Sequence, residues 1–165
     1  MTYEAKAVAN YFLDLAWSKK EEISPMKMQK LIYYAHGWHL AIYDKPLLNE
    51  LIEAWRYGPV IPSVYHEFKE FGNEQITKYA TDFDIENFSF NPPHLPEDAK
   101  IIPLLKKIWE IYGKFKAIKL SNMTHQPGTP WAETWGNDGV PENTNIEDKL
   151  IKKYFVSLAR RKKNG

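Results

Sequence analysis

The sequence predicts a mainly α protein: a single compact helical domain of about five to seven helices, with a small β-hairpin as an option near residues 47–56. Three observations carry this expectation. Apolar residues recur at alternating spacings of three and four in separate segments, the pattern of amphipathic helices. Two pairs, Ser24-Pro25 and Thr129-Pro130, place a capping hydroxyl before a proline at the first helical position, where the missing N–H costs nothing. Period-two alternation is scarce, so strand content should be small. A length of 165 residues fits one domain spanning residues 1–165.

The first helix is expected over residues 2–19, with Thr2 as its cap and Ala5, Val8, Phe12 and Leu15 on one face. The second begins at Ser24-Pro25 and should end near Tyr43. Its stripe of Met28, Leu31, Ala35, Trp38 and Ile42, widened by Ile32, Tyr34 and His39, predicts burial around much of the helix. Asp44-Lys45-Pro46 is a turn. Leu47-Leu48 and 52–55 are the two candidate hairpin strands, with an irregular loop as the alternative. Gly58-Pro59 through Pro62 reads as punctuation. Ser63 is then placed to cap a short helix that carries Val64, Phe68 and Phe71 and stops at Gly72. Residues 73–97 read as a long surface loop with a short edge strand near 83–90. Between Thr81 and Asp98 all charges are acidic: Asp82, Asp84, Glu86, Glu97 and Asp98. A helix over residues 98–116 follows, with Ile101, Leu104, Ile108, Ile111 and Phe115 as its stripe and Pro103 in its first turn. Short helices near 117–125 and after Thr129, a polar loop over 136–145 and a last helix over 146–160 complete the chain. The basic run at 160–165 reads as a frayed, solvated tail.

Composition narrows the function. Lys and Arg number 22 against 21 Asp and Glu, a formal net charge of +1, so there is no global basic excess and nucleic-acid binding is not expected. Cysteine is absent, which removes disulfides, thiolate metal sites and cysteine nucleophiles and suits a cytoplasmic protein. No signal segment is expected, because Glu4, Lys6 and Asp14 interrupt the first apolar stretch. Membrane association is not expected either, since the longest nearly apolar run, 31–43, is too short to span a bilayer. Aromatic residues make up 15% of the chain, a supply of interface anchors as well as core.

No phosphate loop, His-Glu-x-x-His motif or Gly-x-Ser-x-Gly elbow is present. His36 and His39 share a helix face, but a metal site needs three or four ligands, so packing is the stronger reading and no cofactor is expected. Ser121 with His125 lacks an acid at a diagnostic spacing, which weighs against a hydrolase. An uncharacterised enzyme using His36, His39 or His125 stays as the reading from another class. Two dense stretches remain. Glu53 through Pro59 offers a rigid turn with Trp55, Arg56 and Tyr57, and a Glu53–Arg56 pair. The other, 121–135, sets Thr124, His125, Trp131 and Trp135 around a helix break.

Both stretches lie in segments that resemble one family. Residues 28–40 (Met-Gln-Lys-Leu-Ile-Tyr-Tyr-Ala-His-Gly-Trp-His-Leu), 45–47 (Lys-Pro-Leu) and 52–65 (Ile-Glu-Ala-Trp-Arg-Tyr-Gly-Pro-Val-Ile-Pro-Ser-Val-Tyr) form the long signature. Leu120-Ser121, Thr124-His125 and Pro130-Trp131 form a second, shorter one. Together they resemble the Panacea domain, the phage-associated, SocA-like antitoxin family, over about residues 3–160. The resemblance implies an antitoxin, often prophage-borne, that neutralises a co-encoded toxin protein by direct binding. One branch of the family acts instead as an adaptor that delivers its toxin to a ClpXP-type AAA+ protease. Some members add a helix-turn-helix domain, which is not expected here. No catalytic residue is implied. The partner-binding residues expected on this reading are Trp55, Arg56, Tyr57, His125 and Trp131, with the acidic 73–97 loop as an alternative surface. A shared cluster of Trp38, Trp55 and Trp131 is the testable guess for where the two signatures would meet, and oligomeric state is left open.

Overall fold

A computed structural model describes residues 1–164. Seven helices carry the architecture: α1 (Ala5–Ser18), α2 (Pro25–Tyr43), α3 (Pro62–Phe68), α4 (Ile102–Tyr112), α5 (Ala117–Thr124), α6 (Pro130–Trp135) and α7 (Asp148–Asn164). Two antiparallel hairpins accompany them, β1 (Glu53–Trp55) with β2 (Gly58–Val60), and β3 (Asp82–Asp84) with β4 (Ser89–Asn91).

The central element is α2, which packs against α7, α5, α4, α1 and α3. Its sequence explains that position. Ser24 Oγ accepts from the Lys27 N–H at 3.3 Å, Pro25 occupies the first turn, and Asp44 closes the far end in the left-handed conformation. From Met28 to Gly37 every residue is buried, so the wide stripe is a helix surrounded by others. Ile42, counted in that stripe, is exposed because it lies beyond the neighbouring helices. The closest approach is to α7: a Cβ on Gly37 would overlap the Phe155 ring. Phe155 in turn sits edge-on to Tyr33, Tyr34, Trp38 and Tyr154. The buried apolar residues form one cluster that reaches from Ala5 to Phe155.

Several expectations need correction. Thr2 does not cap α1. Tyr3 bridges to Leu48, and the first helical N–H, that of Ala5, is met by the Glu50 carboxylate at 2.8 Å. The hairpin near 47–56 is displaced by one strand: 53–55 pairs forward with 58–60, while Leu48 pairs with Tyr3. Pro59 is tolerated because the strand has only one ladder partner. Ser63 lies inside α3, whose N-cap is Ile61, and its hydroxyl donates to Glu50. Within 73–97 the edge strand is a two-stranded hairpin. The helix expected from residue 98 starts at Ile102 and buries Leu105, Ile108, Trp109 and Tyr112, leaving Leu104 and Ile111 partly covered. The basic run does not fray at 160: α7 continues through Asn164, cations at a helix C-terminus being favoured by its dipole, and Lys162 Nζ lies 5.4 Å from the Trp38 ring centre. Gly165 lies outside the described residues. No described helix is long and apolar enough to cross a membrane.

Candidate functional site

The β1–β2 hairpin is built onto two consecutive residues of α2. Gln29 accepts from the Ile61 N–H at 2.8 Å and donates to the Ile61 carbonyl at 3.2 Å. Lys30 Nζ donates to the Tyr57 carbonyl at 2.9 Å. The tip and the exit of the hairpin are therefore fixed to one turn of a buried helix. Gly58 makes this possible. Its φ is +118°, and any Cβ would collide with Lys30 Nζ and lie 3.3 Å from both His125 Cε1 and Thr124 Oγ1.

Lys30 is the residue that sequence reasoning missed. It is only 2% exposed, and among the described residues no carboxylate pairs with it. Burial pulls its amine down to about 7. No local signal marked it: position 30 falls beside the apolar stripe of α2, and only the packing of other helices around α2 buries it.

From the other side, Trp131 supports the same hairpin. Its indole N–H donates to the Trp55 carbonyl at 2.6 Å. The cap-plus-proline pair sets α6 at the angle this needs: Thr129 Oγ1 accepts from the Ala132 N–H and donates to the Thr124 carbonyl at 2.8 Å. His125 fills the corner, with its ring 4.1 Å from Trp131 and its Nδ1 2.6 Å from the Ser121 carbonyl. Behind the hairpin, the Ala54 N–H bonds to the Thr144 carbonyl, and Glu53 bridges to Asn145.

The five expected partner-binding residues thus converge, with different exposures. Tyr57 is 65% exposed, Arg56 is exposed, Trp55 and His125 are half-buried, and Trp131 is buried. Arg56 lies over the Tyr57 ring at 5.6 Å instead of pairing with Glu53, whose carboxylate accepts from the Trp55 indole at 2.9 Å. Trp55 packs edge-on against Tyr65 at 4.8 Å. Beside them opens a cleft of about 440 Å³, lined by Met26, Lys30, Trp55, Tyr57 and Tyr65 among others. Trp38 does not join the cluster. It donates to the Tyr112 hydroxyl at 2.9 Å and packs on Phe155.

The histidines of α2 have structural partners. His36 Nε2 meets Asp148 Oδ1 at 2.8 Å and its Nδ1 accepts from the Leu48 N–H at 3.4 Å. His39 Nδ1 meets the Lys45 carbonyl at 2.6 Å, and burial holds its pKa below the ordinary value. Among the described residues no three His, Asp or Glu side chains are grouped to hold a metal ion.

What fold and site define together is a small helical domain that presents an aromatic, arginine-bearing turn braced from beneath. The family model of the SocA-like antitoxin, Panacea domain, matches residues 28–132, a span that contains Lys30, the hairpin, His125 and Trp131. The chain belongs to this antitoxin family. It is similar to Antitoxin SocA of Caulobacter vibrioides (strain NA1000 / CB15N), at 34% identity over 154 residues, covering 92% of this chain and 82% of that protein. No solved structure matches it. Membership of this family supports an antitoxin role and implies a toxin as partner.

Proposed function

We propose that the protein neutralises a toxin protein by binding it directly, with the 55–57 turn as a contact surface. The observation that carries this reading is the way Arg56 and Tyr57 stand in solvent while their backbone is fixed by Lys30 and Trp131. Tyr and Arg are common interface hot spots, and a braced turn loses little entropy on binding. His125 and Trp131 support the turn from behind.

The test is co-expression with each flanking open reading frame, scoring growth and co-purification. Rescue of growth with a stable complex is the expected result. The double variant Arg56→Ala/Tyr57→Ala should then bind the toxin at least about tenfold more weakly, as truncation of two hot spots does. Unchanged binding by that variant would remove the turn from the contact surface, and harmless, unbound products of both neighbours would remove local toxin pairing.

A further inference from the structure

The β3–β4 hairpin is built inside out. Phe83 and Phe90 are paired across the strands with rings 5.0 Å apart, and Phe88 adds its ring 5.2 Å from Phe83. A hairpin lying on a protein body normally turns such a face inward. Here Phe83 is 46%, Phe90 69% and Phe88 81% exposed, with Ile85 at the turn 79% exposed. The polar face turns toward the body instead: Asp82 Oδ1 lies 3.1 Å from Lys6 Nζ on α1.

The hairpin is also firmly held. Asn10, fully buried on α1, donates to the Ala80 carbonyl at 3.0 Å and the Pro93 carbonyl at 2.9 Å, and accepts from the Ala80 N–H at 2.8 Å. It therefore grips the chain just before β3 and just after β4. Lys6 adds a bond to the Thr81 carbonyl at 3.0 Å, and Glu67 accepts from the Thr81 N–H at 2.8 Å. At the tip, the Asp84 carboxylate accepts from the Glu86 and Asn87 N–H groups at 3.0 and 3.2 Å. Contiguous exposed aromatic surface on a braced scaffold marks an interaction site.

Charge selects the occupant. From Tyr79 to Ala99 the chain has acids and neither Lys nor Arg. A second copy docked through the same hairpin would set acid against acid, and nucleic acid or an anionic membrane would be repelled. We propose that this hairpin is a docking knob whose aromatic face enters an apolar cleft rimmed by Lys and Arg on a protein partner. Resting on the reading above, that partner is the toxin.

The double variant Phe88→Ser/Phe90→Ser tests it, because both side chains are exposed and the hairpin is attached to the body by Asn10, Lys6 and Glu67. Its circular dichroism and urea midpoint should match the wild type. Its affinity for the co-purified toxin, read by calorimetry, should fall at least about tenfold. Glu86→Lys, on the acidic rim, should weaken binding several-fold at low salt and less at high salt. Equal binding by wild type and double variant would overturn the knob and leave the antitoxin reading standing. A wild type that binds no flanking product would instead overturn that reading, and this assignment with it. A wild-type dimer in sedimentation that the double variant dissolves, or variant-sensitive binding to phosphatidylserine vesicles, would also overturn the proposal by naming a different occupant.

Discussion

Lys30 shows what one buried charge does. Its amine titrates near 7 in the fold and at about 10.5 when exposed. Below pH 7 both states hold the proton, and the burial penalty is fully present. Between about pH 7 and 10 the unfolded chain holds a proton that the folded chain has lost, so stability rises with pH, at most by about 1.4 kcal/mol per pH unit from one group. Lys27, also pulled down by burial, acts in the same direction. Urea melts across this window should show the rise, and Lys30→Met should flatten it; an unchanged slope in the variant would sink the assignment. Gly58 makes the complementary case. With φ at +118° and Lys30 Nζ where a Cβ would go, Gly58→Ala should cost about 1–3 kcal/mol in a urea melt. A variant as stable as the wild type would show that the hairpin is not held by this contact. Neither residue was legible as functional in the sequence. A lysine reads as solvated until a helix is known to be surrounded, and a glycine beside proline reads as punctuation until its neighbour across the fold is known.

At the scale of elements, local information was legible and pairing was not. The starts of α2 and α6 follow from side chains that bond their own backbone within three residues, and α2 stops where Asp44 turns left-handed and its N–H bonds the Leu40 carbonyl. The β1–β2 hairpin was displaced because its register is set by Gln29 and Lys30, which are distant in sequence. Helical periodicity gave Trp38 a face but not a partner, so it could not say that Trp55 meets Trp131 and Trp38 meets Phe155. The same limit hid the tightest helix contact. Gly37 reads as a weak point in α2, since alanine there gains about 1 kcal/mol of helix propensity. In the fold it is where α7 closes on α2. Gly37→Ala must displace a fully buried Phe155, and overpacking of that kind typically costs about 1–3 kcal/mol. The thermal midpoint should therefore fall despite the better helix former, and a rise would mean that the α2–α7 interface is slack.

For the molecule as a whole, the open choice is between blocking a toxin and escorting it to a protease. An adaptor needs a second surface for an unfoldase. The described residues toward either end make contacts with the body. Tyr3 donates its N–H to the Leu47 carbonyl and accepts from the Asn49 N–H, and α7 is helical through Asn164 with Lys162 set over Trp38. Two aromatic features left in solvent, Tyr57 with Arg56 and the Phe83–Phe88–Phe90 face, are carried by hairpins anchored to buried side chains, Lys30 in one case and Asn10 in the other. If both serve as the contact surfaces proposed above, they suit occupying a target, because a complex that buries both dissociates slowly without further machinery. Direct blocking then predicts that toxin abundance and half-life in cells stay unchanged when this protein is co-expressed, while toxicity disappears. Quantitative blotting after translation is stopped reads this directly. A toxin half-life that shortens only when the antitoxin is present, and recovers when the AAA+ protease is deleted, would transfer the function to escort.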